Sequence, residues 1–196
     1  MPRTASTEMT FQSLQNQFLI AMPQLHDQNF EHTVTLLCQH DENGCLGVVV
    51  NRPMVELSFE DITDQLGIER SARDVKISTP VFSGGPVHPE LGMVLHDNRQ
   101  SWDATMPISE DLALTTSIDI IEAISEGQGP EHCIFILGYA GWGSGQLEFE
   151  IQENAWLSAP ADTHIIFHSA VEKRWKLAAR KIGVDLNTIA TFSGHA

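Results

Sequence analysis

Apolar residues in this chain fall into short runs bounded by turn residues more often than into long periodic stretches. Phe18-Leu19-Ile20-Ala21-Met22 is closed by Pro23 and predicts a strand that stops there, because proline has no N–H to continue a ladder. Residues 33–39 and 45–51 are two β-rich runs separated by Asp41-Glu42-Asn43-Gly44, and the Asn-Gly pair predicts a tight β-hairpin. Its second arm, Leu46-Gly47-Val48-Val49-Val50, is apolar on both faces, the pattern of a central strand. Arg52 precedes Pro53 and is expected to be extended. Ser58-Phe59-Glu60-Asp61 reads as a capping box with Asp61 in place of Glu or Gln, opening a helix through Leu66 that Gly67 ends.

Residues 81–83 and 91–96 read as strands on either side of the turn signal Gly84-Gly85-Pro86. Residues 117–125 place Ile118, Ile121 and Ile124 at helical spacing, with Gly127 as a stop. Cys133-Ile134-Phe135-Ile136-Leu137 predicts a strand, followed by four glycines in eight positions (Gly138, Gly141, Gly143, Gly145), read as a loop. A short helix then turns Leu147 and Ile151 one way and Gln146, Glu150 and Glu153 the other. His164-Ile165-Ile166-Phe167 predicts another strand. Val171, Trp175, Ala178, Ala179 and Ile182 form an apolar stripe on a helix closed by Gly183, and residues 185–190 add a last helical turn. Early hairpins and scattered later helices predict an α+β protein with a mixed, largely antiparallel sheet.

Length and composition narrow the picture. The 196 residues are 42 % hydrophobic and 19 % charged, which fits one globular domain over 13–196 after a loose segment 1–12. The formal charge of −15 argues against a general polyanion binder. Three unpaired cysteines (Cys38, Cys45, Cys133), no secretory leader and no run long enough to span a bilayer predict a cytoplasmic protein with reduced thiols and no membrane contact.

Candidate chemistry centres on the glycine-rich stretch. A strand that ends in glycines and feeds a helix leaves backbone N–H groups free to bind a ligand; the same arrangement also turns a corner with close packing. No Gly-Lys-Ser/Thr follows, the GxxGxGxG spacing is not a dinucleotide fingerprint, and Glu148 in the first helical turn competes with a bound anion. Trp142 and Trp156 are either a binding platform or core. Ser144 lacks the glycines at minus two and plus two of a nucleophile elbow, where Trp142 and Gln146 stand.

His164 and His168 would share a helix face, but on a strand they lie about 13 Å apart, too far for one metal. His88 and Glu90 lack a third ligand at motif spacing, so no metal or cofactor is expected. Arg52 either grips a carboxylate or phosphate or pairs with an internal acid such as Asp61 or Glu148. Lys173, Arg174, Lys176, Arg180 and Lys181 are five of the eleven basic residues and form the one patch suited to nucleic acid, though a solvated helix face is the default.

Taken together, GVVVNRP at 47–53, GGPV at 84–87, GYAGWGSGQLEFEI at 138–151 and NAWL at 154–157 resemble the bacterial AlgH/YqgE family in order and spacing. The resemblance implies a cytosolic α+β protein whose curved, partly barrel-like sheet is surrounded by helices. It implies no reaction; the family name reflects a proposed part in regulating alginate production. Asn51, Arg52 and Pro53 match one motif, Gly84, Gly85 and Pro86 a second, and Gly138, Tyr139, Gly141, Trp142, Gly145, Gln146, Leu147 and Glu148 the third. Phe149 stands where that pattern favours a polar residue.

Three functions follow as expectations. The first is a non-enzymatic protein that binds a protein partner or small ligand through Asn51, Arg52, Gly84, Gly85, Tyr139, Gly141, Trp142, Gly145, Gln146, Glu148 and Trp156. The second is an enzyme that holds a small anionic substrate near Arg52 and the 138–148 loop, with Glu148 as general acid or base. The third is a regulator that contacts DNA through the basic helix 171–182.

Overall fold

The computed structural model describes residues 11–69 and 80–192. In chain order the elements are β1 (Gln17–Ala21), β2 (Val34–Asp41), β3 (Gly44–Val49), β4 (Pro53–Met54), α1 (Phe59–Leu66), β5 (Val81–Ser83), β6 (Val87–Asp97), β7 (Thr105–Pro107), β8 (Leu112–Thr115) and α2 (Asp119–Ser125). There follow β9 (Cys133–Gly143), α3 (Gln146–Gln152), β10 (Trp156–Pro160), α4 (Thr163–Phe167), a 3₁₀ turn (Val171–Lys173), α5 (Arg174–Arg180) and α6 (Leu186–Phe192).

The strands form one ten-stranded sheet in the order β10-β1-β2-β3-β9-β6-β8-β7, with β4 and β5 off this path. Every pairing is antiparallel except that of β5 with β9, and the sheet curls into a half-barrel. β9 is the hinge of that curl: residues 133–137 pair with β6, residues 140–143 with β3, and β5 runs alongside 135–137.

Alternation along the strands assigns the two faces. Phe18, Ile20, Leu36, Met93, Leu95, Ile134 and Ile136 pack on one side in the main core, with Ile165, Ile166, Ala178, Ala179 and Leu186 of the C-terminal helices. On the other side Leu19, Ala21, Leu37 and Ala140 pack with Leu147 of α3. Further along that face Val81, Val94 and Phe135 pack with Phe59 and Ile62 of α1 and Ile120, Ile121 and Ile124 of α2. Helices therefore cover both faces.

The capping box at Ser58 and Asp61 forms as the residues imply, and Gly67 closes α1. The β2–β3 hairpin also forms, with Asp41 opposite Gly44 and Glu42-Asn43 as its loop. A bulge between Leu37 and Gln39 takes Cys38 out of register, so Cys45 faces His40 and both thiols are free.

Two readings are corrected. The glycine run is not a loop: β9 continues through Gly143, because these positions pair with β3 and small residues let another segment cross them closely. Residues 164–167 are helical, not extended. Asp162 accepts hydrogen bonds from the His164 and Ile165 N–H groups, and this cap together with burial of Ile165 and Ile166 overrides the β preference of the run. Strands β7, β8 and β10 carried too weak a pattern to be read. Of the loose start expected over 1–12, residues 1–10 lie outside the described residues.

β6 and β8 enclose a directional polar chain. The Trp102 N–H donates to Thr105 Oγ1, the two threonine hydroxyls bridge at 2.8 Å, and His96 Nε2 lies 2.8 Å from Thr115 Oγ1. His96 Nδ1 lies 2.7 Å from the Asp97 carbonyl, which can only accept, so Nδ1 carries the proton and Nε2 accepts. Burial pushes the His96 imidazole below its ordinary range. The unfolded chain takes up this proton below about pH 6.5 while the fold resists it, so stability present above that pH is lost as pH falls. Urea midpoints measured from about pH 7 to about pH 5 should decline, and His96→Gln should flatten the decline; an unchanged slope would refute the assignment.

Candidate functional site

Asn51 and Arg52 leave β3 and fasten it to the loop between β1 and β2. Asn51 Oδ1 accepts from the Val34 N–H at 2.8 Å, and its Nδ2 donates to the His32 carbonyl at 2.9 Å. The Arg52 guanidinium donates to the carbonyls of Gln28, Asn29 and Glu31 at 2.9, 2.6 and 3.3 Å. Arg52 grips backbone, not a carboxylate of Asp61 or Glu148.

The Gly84-Gly85 segment crosses β9 at Gly138-Tyr139. The Gly84 N–H donates to the Leu137 carbonyl, and the Gly84 carbonyl accepts from the Val49 N–H, each at 2.8 Å. A Cβ on Gly84 would lie 2.2 Å from the Gly138 oxygen, and one on Gly85 would lie 2.3 Å from Tyr139 backbone. Gly138 itself sits at φ +71° with the Gly85 oxygen against it. Two of the motifs are thus halves of one backbone crossing. The segment leaving it stacks His88 on Tyr139, 6.0 Å between centroids.

Beyond the crossing, Trp142 and Trp156 are buried, not displayed. Both indole N–H groups donate to the same oxygen, Glu150 Oε2, at 2.9 and 2.8 Å, while Gln146 Nε2 holds Glu150 Oε1 at 2.9 Å. Phe30 packs on both rings. Gln146 Oε1 accepts from the Gly143 N–H, and the Ser144 hydroxyl donates to the Glu42 carbonyl. Gly141 and Gly145 are exposed.

Glu148 meets His40, a residue the sequence did not single out. The Leu14 N–H donates to His40 Nδ1 at 2.8 Å, so that nitrogen is unprotonated and Nε2–H donates to Glu148 Oε1 at 3.0 Å. This pair ties the start of the chain to α3. Arg52 holds the loop before β2 while His40 stands at the far end of that strand, so Arg52 and Glu148 share no hydrogen-bond partner.

The basic helix divides by burial. Arg174 is 4 % exposed, donates to the Val50 and Ser169 carbonyls and lies 5.2 Å over the Phe82 ring. Burial lowers its guanidinium to about 10. Arg174 therefore leaves the nucleic-acid patch. Lys181 pairs with Asp162 at 2.7 Å, while Lys173, Lys176 and Arg180 are exposed.

His164 and His168, neighbours on the helix, bring their rings to 5.4 Å, with His132 4.6 Å from His168. Among the described residues no group of three His, Cys, Asp or Glu could hold a metal ion. His88 and Glu90 pair at 3.1 Å in an exposed position.

Among the described residues an open concavity lies beside these signature residues. A groove of about 710 Å³ runs between α1 and α2, floored by β6 and β9. Leu57, Ile62, Leu66, Leu91, Ile118, Ile121, Phe135 and Leu137 give it apolar walls, and Gln65, His88, Glu90 and Thr116 are its polar groups. Leu66, Leu91 and Ile118 are 47, 38 and 48 % exposed there. The register shift between Val87 and Gly92 lifts His88, Glu90 and Leu91 onto the rim. The groove joins elements from four separate stretches of chain, and no local spacing announces it.

A half-barrel sheet with helices on both faces, a glycine crossing at its hinge and an apolar groove beside that crossing define an α+β protein of one structural class. The AlgH-like family model matches residues 18–187, and the chain belongs to that family, whose biochemical function is unknown. A UPF0301 protein of Xanthomonas campestris pv. campestris is 50 % identical over 183 residues, covering 93 % of this chain and 96 % of the relative. The counterpart in Xanthomonas euvesicatoria is 49 % identical over the same shares. The solution structure of the AlgH protein from Pseudomonas aeruginosa matches with a TM-score of 0.76 at 40 % identity over the whole of both chains. A Corynebacterium diphtheriae crystal structure shares the fold, with TM-score 0.70 and 18 % identity over 91 % of this chain and 92 % of that one. Among the described residues no helix is long and apolar enough to cross a membrane.

Proposed function

We propose that this chain is a non-enzymatic binding protein that holds apolar side chains of a protein partner in the groove between α1 and α2. One observation carries the reading: Leu66, Leu91 and Ile118, three of the large apolar residues left exposed, line the same concavity. Exposed apolar residues gathered in one place mark interaction sites, whereas scattered ones do not. Its volume falls within the roughly 300–1,000 Å³ usual for binding pockets. The signature residues support the reading from beneath. The side chains of Asn51, Arg52, Trp142, Gln146, Glu148 and Trp156 make their hydrogen bonds within the fold, and the crossing beside them leads into the rim.

The test is binding of the neutral fluorophore N-phenyl-1-naphthylamine. It should bind the native protein, and Leu91→Glu or Ile118→Glu should weaken binding by about tenfold or more with the circular dichroism spectrum unchanged. Equal binding by native and variant proteins would reject the groove as the site.

A further inference from the structure

Residues 11–14 lie across the end of β2, and one residue there receives them. Phe11 sets its ring edge-on to the His40 imidazole at 4.9 Å between centroids, the Ser13 hydroxyl donates to the His40 carbonyl at 2.8 Å, and the Leu14 N–H donates to His40 Nδ1 at 2.8 Å. Among the described residues these are the segment's only hydrogen bonds beyond its own turn. The His40 side chain beneath it is 2 % exposed. Leu14 packs against the cluster of Leu19, Leu37, Trp142 and Leu147. The chain is then fixed again at once: Gln15 Nε2 donates to the Ile108 carbonyl at 3.0 Å, and the Asn16 N–H donates to the Leu37 carbonyl at 2.9 Å. A movement of residues 11–14 can therefore stop at Gln15 and leave β1 in place.

We infer that His40 is a proton-operated latch: when its imidazole becomes charged, residues 11–14 leave β2 and uncover the apolar seat of Leu14, while the sheet stays folded. The reason is a count of protons. Neutral His40 carries its one ring proton on Nε2, toward Glu148, and offers the Nδ1 lone pair to Leu14. An imidazolium carries a proton on both nitrogens, so Nδ1–H would face the Leu14 N–H, and two donors make no hydrogen bond. The Nε2–H bond to Glu148 survives and becomes charge-assisted. One protonation thus strengthens the contact with α3 and breaks the contact with the segment. The neighbouring titratable groups do not replace this proton. Cys45, opposite His40 on β3, stays a neutral thiol, because burial and then the charges of Glu148, Glu150 and Asp41 push it up to about 12. Asp41 turns its carboxylate to the Asn43 N–H, Glu150 takes both indole N–H groups, and residues 11–14 contain no titratable side chain. This latch is independent of the groove.

Nuclear magnetic resonance of the intact chain between about pH 7.5 and about pH 5 tests it, with imidazole nitrogen shifts reporting the His40 protons and backbone relaxation reporting the segment. Order parameters of residues 11–14 should fall from about 0.8 to below about 0.6 as His40 gains its second proton, while those of Leu19 and Leu36 in the sheet hold. That contrast separates opening of the latch from loss of the whole fold. In His40→Asn, Oδ1 stands close to the place of Nδ1 and takes no proton, so the segment should stay ordered across the range. Glu148→Gln keeps an acceptor for Nε2–H but removes the charge that favours the imidazolium, so opening should move down by about half a pH unit or more. A segment that stays rigid after His40 is charged, or one that opens while His40 is neutral, overturns the inference. So does opening at an unchanged pH in His40→Asn or in Glu148→Gln, since the proton would then act at another group.

Discussion

Gly84→Ala is expected to abolish the fold, costing more than about 4 kcal/mol and leaving little protein in the soluble fraction. The cost is steric. A methyl group at this position meets the Gly138 oxygen at 2.2 Å and Ile136 Cγ2 at 2.4 Å. Neither side can retreat, because Gly84 is hydrogen-bonded to Leu137 of β9 and to Val49 of β3 at once. Moving it breaks a join between two halves of the sheet. Gly143→Ala is the matched control from the same glycine run: a Cβ there meets only the Gln146 side-chain oxygen, at 3.9 Å. It should change stability by no more than about 0.5 kcal/mol, as surface substitutions usually do. Urea unfolding of both variants decides the matter. A Gly84→Ala protein that folds with a loss below about 1 kcal/mol would show that the crossing is not rigid.

This contrast also explains how far the sequence could be read. Elements declared by local chemistry were legible: the Ser58–Asp61 box, the β2–β3 hairpin and the strand stopped by Pro23 depend on neighbours a few residues apart. The α+β class followed from their order, and the half-barrel from the resemblance to the AlgH/YqgE family. What was not legible depends on residues far apart in the chain. Gly84 and Gly138 have little meaning until β5 and β9 lie side by side, and the glycines then continue a strand instead of ending it. His164 to Phe167 has a strand's composition but a helix's cap, and the cap at Asp162 wins once Ile165 and Ile166 are buried. Arg52 and Arg174 looked available for ligands because sequence shows charge and not the backbone carbonyls that consume it. The groove was invisible for the same reason: Leu66, Leu91 and Ile118 are apolar residues on elements whose other apolar residues are core.

Glu150→Ala should be the second most damaging change, although it removes a side chain that is only half buried. The loss falls on its partners. Trp142 and Trp156, 6 % and 3 % exposed, both spend their only polar hydrogen on Glu150 Oε2. Each buried N–H left without an acceptor costs about 1–3 kcal/mol, so the variant should lose about 2–6 kcal/mol in urea unfolding followed by tryptophan emission. Glu150→Gln keeps an oxygen that can take both indole bonds, but turns its amide N–H₂ toward Gln146 Nε2; about 1 kcal/mol is expected. The decisive comparison is Glu150→Ala in a Trp142→Phe, Trp156→Phe background. With no indole N–H to orphan, removing the carboxylate should cost much less there than in the native chain, and that difference is the coupling. Equal costs in the two backgrounds would mean that the carboxylate supports α3 by another route. The sequence signal was present in hindsight: Glu150 lies between the two tryptophans and four residues after Gln146, so one turn of α3 brings the acid back to the strand end that carries Trp142. In these family motifs, then, the aromatic and acidic residues form one polar contact inside the fold.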